Sequence, residues 1–139
     1  MKHPILDLYN QMNNFGRLNN MVFEVINPGE IIYHFTPNSN HLATTTAVHG
    51  GVLSAYMDAI IGVAALSAVC EENKLVSTVE FKINYLLPAF CDKKLTGKGR
   101  VISKGNSILV STGEIINEEN KVIAVGQGTF KSYPSNYLK

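Results

Sequence analysis

Two neighbouring glycines, Gly50 and Gly51, stand at the predicted start of a long apolar helix. They leave the first-turn N–H groups uncovered by side chains, and those groups have no partner within a helix. Together with the helix dipole, these N–H groups favour negative charge, such as the oxyanion that develops on a carbonyl during acyl transfer. Alternatively, the two glycines could be present only because they allow the helix start to pack closely against its neighbours. Both interpretations stay open.

Asp58 is the only charged residue in the 19 residues 52–70. Placing a carboxylate in apolar surroundings costs free energy unless the carboxylate has a function or a hydrogen-bonding or charged partner. It could act on a carbonyl as a general base or as a nucleophile. It could instead be a buried acid that is paired with a polar group of the core.

The spacing of Gly50 and Asp58 limits how the two could act on one substrate. They are eight residues apart, which is about 12 Å along a helix. They therefore cannot both touch the same carbonyl group. If two copies of the helix pack antiparallel about a two-fold axis, Gly50 of one chain can face Asp58 of the other. We therefore expect a homodimer with two equivalent shared sites.

The helix at about 50–70 is long enough to cross a membrane. Its Ala, Gly and Ser content, together with Asp58, favours a helix that is buried inside a protein fold. A shorter helix is predicted at 4–15, ended by Gly16, from apolar residues at helical spacing. Alternating patterns and turn residues predict six strands, at 21–26, 31–36, 78–87, 95–103, 108–116 and 122–131.

This order of elements predicts an α+β fold in which one long helix is wrapped by an antiparallel sheet. In the third strand, strict alternation places Thr78 and Glu80 on one face and Val79 and Phe81 on the other. The length of 139 residues predicts a single domain spanning 1–139.

Composition argues against several classes of protein. The net charge of +1 gives no basis for a nucleic-acid surface. Cys70 and Cys91 have neither metal-ligand spacing nor the density of a disulfide scaffold, so we expect no metal and a reducing compartment. The first residues, 1–5, lack the apolar core of a signal peptide, which predicts a cytoplasmic protein.

Three motifs together resemble one known family. They are His49-Gly50-Gly51 with Asp58 nine residues after the histidine, the segment TVEFKINYLLPA at 78–89, and VGQGTF at 125–130. This pattern resembles the hotdog-fold thioesterases of the phenylacetate-pathway (PaaI-like) group. The resemblance implies a hotdog fold, hydrolysis of acyl-CoA thioesters without a cofactor, and dimers that often pair into tetramers.

The resemblance also implies roles for single residues. Asp58 would attack the thioester or activate water, the Gly50 N–H would polarise the carbonyl, and Thr78 would place the water or the carboxylate. His49 would support the helix start. The expected substrate-binding residues surround this group and are Gly51, Ser54, Ser77, Tyr56 and Phe81.

Ala43 departs from the family pattern, because many members carry Asn or Gln six residues before the histidine. The change keeps a second hypothesis open, a non-catalytic hotdog protein that binds acyl-CoA. A hotdog dehydratase is a third hypothesis, but the chain lacks a Phe-Pro-Gly run after a histidine.

Overall fold

The computed structural model describes residues 1–137 of the chain. Within them the helices are α1 (Pro4–Met12), α2 (Asn14–Leu18) and α3 (Gly50–Val69). The strands are β1 (Val22–Asn27), β2 (Glu30–Phe35), β3 (Lys74–Tyr85), β4 (Leu95–Lys104), β5 (Ile108–Ile116) and β6 (Val122–Pro134).

The six strands form one antiparallel sheet in the order β1-β2-β4-β5-β6-β3. Helix α3 packs on the inner face of this sheet, and most of its residues are buried there. Among the described residues, Gly50–Glu72 is long and apolar enough to cross a membrane by length and composition alone. Its most apolar window is 61% buried inside the fold, as in a core helix. The predicted architecture is therefore confirmed.

Glycines on the inner face of the sheet let α3 approach it closely. A Cβ atom on Gly99 would lie 2.7 Å from the backbone oxygen of Ile60, and one on Gly97 would lie 2.3 Å from the Cδ1 atom of Ile60. Contacts this short cannot occur, so any larger residue would push the helix away from the sheet. The position of α3, and with it that of Asp58, depends on these glycines.

The N-terminal helix differs from the sequence prediction. Instead of one helix ended by Gly16, there are two short helices with Asn13 between them. The Oδ1 atom of Asn13 accepts a hydrogen bond from the N–H of Gly16, 3.0 Å away, and so caps α2. A short polar side chain that bonds its local backbone competes with a continuous helix. The prediction that Gly16 ends the helix is therefore wrong, since it lies inside α2.

A β-bulge interrupts the alternation of β3. Thr78 pairs with Phe130 and Glu80 pairs with Thr129, so Val79 is the extra residue between them. A bulge of this kind re-aims the neighbouring side chains. Thr78 consequently points toward α3, and the strict alternation expected for this residue is wrong.

Candidate active site

Asp58 and Thr78 meet between α3 and β3. The Thr78 hydroxyl donates a hydrogen bond of 2.7 Å to the Oδ1 atom of Asp58. Asp58 is half-buried and Thr78 is exposed, so the pair lies at the surface rather than in the core. Within residues 1–137 the carboxylate accepts no other hydrogen bond. One of its oxygens is therefore open to water or to a substrate.

His49 caps the start of α3. Its Nδ1 atom accepts a hydrogen bond of 2.8 Å from the N–H of Gly51, and its carbonyl accepts one of 3.0 Å from the N–H of Val52. The neutral ring therefore carries its proton on Nε2. His49 thus holds the helix start, as the resemblance implied.

The N–H of Gly50 has no hydrogen-bond partner among the described residues. The next two N–H groups of the helix, those of Gly51 and Val52, are both hydrogen-bonded to His49. Gly50 is the first residue of α3 and is half-buried. An unpartnered first-turn N–H on the positive end of a helix dipole is suited to hold a developing oxyanion.

Tyr85, near the other end of β3, fixes the first turn of α3. Its hydroxyl donates a hydrogen bond of 2.8 Å to the carbonyl of Gly50 and is also bonded to the Ser54 hydroxyl. Because a tyrosine has one hydroxyl proton, Ser54 must be the donor in the second bond. The Ser54 hydroxyl, predicted to bind substrate, is thus engaged within the chain.

The other predicted substrate-binding residues fall in different places. Tyr56 has no exposed surface, and its hydroxyl donates to the carbonyl of Tyr33 in the core. The prediction that Tyr56 contacts the substrate is therefore wrong. Gly51 and Ser77 are exposed and Phe81 is half-buried, so their assignment stays a prediction.

A cavity of about 450 Å³ adjoins the Asp58–Thr78 pair. It lies between α3, the inner side of β3 and the α1–α2 segment, and most of its walls are apolar. The contribution of α1 and α2 was missed by the sequence analysis, because helical spacing alone does not show what a helix packs against.

Tyr9 brings a polar group from α1 to the same cavity. Burial raises the pKa of its hydroxyl above the ordinary value, and the negative charge of Asp58 nearby raises this pKa further. The Nδ2 atom of Asn13 donates to the Tyr9 hydroxyl over 3.2 Å. Tyr9 therefore stays protonated at neutral pH, and it lines the same cavity as Asp58.

The remaining histidines have structural partners. The Nδ1 atom of His3 accepts from the N–H of Ile5, and that of His41 accepts from the N–H of Asn38. His34 lies 3.2 Å from Glu24. In the part of the chain that the structure describes, no three His, Cys, Asp or Glu side chains are grouped as a metal site.

Within a single chain, Asp58 and Gly50 stay apart. Both belong to α3 and are eight residues apart, which is about 12 Å along the helix. Each has its own partner on β3, Thr78 for Asp58 and Tyr85 for Gly50. One chain therefore holds the carboxylate and the open N–H group in two separate places, beside Thr78 and beside Tyr85.

Comparison with known sequences identifies the family. A family model described as the thioesterase superfamily matches residues 46–124, more than half of the chain. A curated protein of Archaeoglobus fulgidus, named "Putative esterase", is 29% identical over 89 residues, or 64% of this chain and 55% of that protein. The chain thus spans about half the length of this curated relative.

Solved structures share the fold. The E. coli PaaI protein from the phenylacetic acid degradation operon has a TM-score of 0.82 at 18% identity, covering 94% of this chain and 91% of that one. A "hypothetical thioesterase protein" from Streptococcus pneumoniae, solved with coenzyme A, has a TM-score of 0.75 at 24% identity, covering 84% and 90%. These likenesses confirm the hotdog fold.

Proposed function

The chain belongs to the thioesterase superfamily, and we propose that it hydrolyses an acyl-CoA thioester to a free acid and CoA. The observation that carries the proposal is the Thr78–Asp58 hydrogen bond at the edge of an apolar cavity. The arrangement places a carboxylate with one open oxygen where an acyl group could enter. The coenzyme A in the Streptococcus pneumoniae structure supports CoA as the thiol half of the substrate.

In the proposed reaction, Asp58 removes a proton from a water molecule as the water oxygen attacks the thioester carbonyl carbon. The carbonyl oxygen gains negative charge, which the Gly50 N–H stabilises. When the C–S bond breaks, the proton passes to the CoA sulfur. Direct attack by the carboxylate, followed by hydrolysis of the anhydride, requires the same geometry, so Asp58 is assigned as base or nucleophile.

Thr78 acts here as a positioning residue. Its hydroxyl proton is bonded to one carboxylate oxygen of Asp58, which leaves the other oxygen directed at the reacting group. The same hydroxyl retains acceptor capacity for the attacking water. His49 and Tyr85 keep the Gly50 N–H oriented by holding the groups around it.

A second copy of the chain completes the site in this proposal. Strand β3 is an edge of the sheet, and an open edge of this length is a template for pairing with another chain. The side chain of Val79 on this strand is 58% exposed, so apolar surface would be covered as well.

The contacts along β3 explain how such pairing would bring the carboxylate of one chain to the open N–H group of the other. Asp58 is held at Thr78 and Gly50 is held at Tyr85, seven residues further along the strand. When two β3 strands pair antiparallel about a two-fold axis, the Thr78 part of one strand faces the Tyr85 part of the other. Asp58 then meets the Gly50 N–H of the partner subunit, twice per dimer.

Release of free thiol from a panel of CoA thioesters tests the proposed activity. The panel contains short, medium and long acyl chains together with aryl-acetyl and aryl-carbonyl groups. We expect clear turnover of at least one member, because the paired carboxylate and the N–H donor are both present. Absence of thiol release from every member, at full purity and correct fold, would contradict the thioesterase function.

Ala43 favours a second candidate function, the binding of acyl-CoA without hydrolysis. The Ala43 side chain is an exposed methyl group, and its N–H is bonded to the carbonyl of Ala47. The Thr44 hydroxyl accepts from the N–H groups of Thr46 and Ala47 within the same loop. Saturable binding of acyl-CoA in the panel without thiol release would select this second function.

A further inference from the structure

We propose that the acyl group is an unbranched aliphatic chain of about eight to ten carbon atoms that lies along α3 in the cavity beside Asp58, called the acyl cavity from here on. This inference rests on the proposed thioesterase function and names its substrate class. It is carried by the length, the walls and the position of the cavity relative to Asp58.

The length of the cavity follows from the helix that lines it. Asp58, Gly62 and Leu66 all face the cavity and span eight residues of α3, or about 12 Å. An extended chain advances about 1.2 Å per bond, since a three-bond residue spans about 3.3–3.6 Å. An acyl group of eight to ten carbons has seven to nine C–C bonds and spans about 8–11 Å. With its carbonyl at Asp58, its terminal methyl group would therefore come into contact with Leu66.

The walls of the cavity fit a hydrocarbon. Its apolar lining includes Val63 on α3, Leu75 and Val76 on β3, and Phe130 on β6. Thr78 is bonded to Asp58 at the thioester end, and the other polar side chains of the lining are Tyr9, Asn13 and Tyr133. Burial of each methylene group against such walls strengthens binding by about fourfold.

The volume of the cavity is larger than the volume of a small acyl group. About 450 Å³ is roughly three times the volume of an apolar cavity of about 150 Å³ that binds benzene. An acetyl group would leave most of this apolar space to water, and a single aromatic ring would fill only part of its length. A medium-length chain is the simplest occupant that uses both the length and the apolar walls.

The α1–α2 segment forms the outer wall. Phe15 lines the cavity while 51% of it remains exposed. Leu18, one turn further on, is 81% exposed and lies outside the cavity. The two side chains therefore offer a matched pair, since both are exposed apolar residues of α2 and only one touches the cavity.

A series of unbranched acyl-CoA thioesters from two to sixteen carbons tests the inference by kcat/KM for thiol release. We expect kcat/KM to rise with chain length to a maximum at about eight to ten carbons and to fall beyond it. A maximum at acetyl-CoA or at an aryl thioester would overturn the inference and leave the thioesterase function standing. No release from any member would overturn the function itself, and the inference with it.

Val76→Phe tests whether the cavity sets this maximum, because the added ring would occupy space next to Leu75. The variant should move the maximum to shorter chains by several carbons. Val22→Phe makes the same change at an exposed position of β1, outside the cavity, and should leave the profile unchanged. An unchanged profile in a folded Val76→Phe protein would overturn the inference.

Phe15→Ala is a second variant that does not disturb the core. Removing this ring opens the outer wall, so the KM of the ten-carbon substrate should rise by several-fold while that of acetyl-CoA stays the same. Leu18→Ala should change neither value. Equal effects of Phe15→Ala and Leu18→Ala on all chain lengths would count against the proposed position of the acyl group.

Discussion

Replacing Asp58 by Asn is expected to lower kcat by about 10²–10⁴-fold, the usual contribution of a positioned acid or base. The amide has nearly the shape of the carboxylate and can still accept the hydrogen bond from Thr78. It cannot remove a proton from water or attack a carbonyl carbon. Because Asp58 is half-buried rather than part of the core, the fold should tolerate the change.

Asp7→Asn is the matched control for this experiment. Asp7 is an exposed acid in the first turn of α1, so the same loss of charge occurs away from the site. We expect wild-type kcat for Asp7→Asn and an unchanged thermal midpoint for both variants. Wild-type turnover by the Asp58→Asn protein would show that the carboxylate takes no part in the chemistry.

Replacing Gly50 by Pro is expected to lower kcat by about 10²–10³-fold, the usual effect of removing one oxyanion donor. Proline removes the N–H group and adds the atoms of its ring, and it is well accepted at the first position of a helix. His49 has φ −62° and ψ 134°, which are the extended angles required of the residue before a proline. The helix start should therefore survive the change.

Gly50→Ala separates the loss of the N–H group from the added bulk. Alanine keeps the N–H group and brings a Cβ atom to 3.4 Å from the ring of Tyr85, an ordinary van der Waals contact. We expect the alanine variant to retain most of its kcat, with circular dichroism confirming the same helix content in both proteins. If both variants lost activity equally, packing at Gly50 rather than its N–H group would be the cause.

Much of the fold could be predicted from sequence because its patterns are local. The long helix begins at Gly50, as expected from the change in composition there, and the strand at 108–116 has its predicted bounds. The bulge at Val79 could not be predicted, since an extra residue in a strand leaves no mark on an alternating pattern. As a result, the alternating pattern did not show that Thr78 points toward α3.

The error at Tyr56 has a different physical cause. Helix α3 is apolar on all sides, so no hydrophobic face distinguishes the side that packs on the sheet from the side that meets a substrate. Asp58 is the one residue whose charge indicates a side of the helix with access to solvent. Tyr56 lies two residues earlier, so its side chain points to a different side of the helix. A uniformly apolar helix therefore predicts burial without predicting direction.

The acyl cavity could not be predicted from the sequence either. It joins residues of α1, α2, α3, β3 and β6, and contacts between such distant segments carry no local pattern. The Gly50 and Asp58 pair, in contrast, could be proposed from spacing alone, because the rise of a helix fixes their separation. The same spacing is the basis of the proposal that a complete site needs two chains.

The most direct test of a shared site measures thiol release by two purified heterodimers, each assembled from chains with different affinity tags. In the first, one chain carries Asp58→Asn and the other carries Gly50→Pro. In the second, one chain carries both substitutions and the other is wild type. If Asp58 of each subunit acts with the Gly50 N–H of its partner, the first heterodimer keeps one intact site and about half of the wild-type activity, and the second keeps none. The reverse result, an active second heterodimer and an inactive first one, would place each complete site within a single chain and contradict the account.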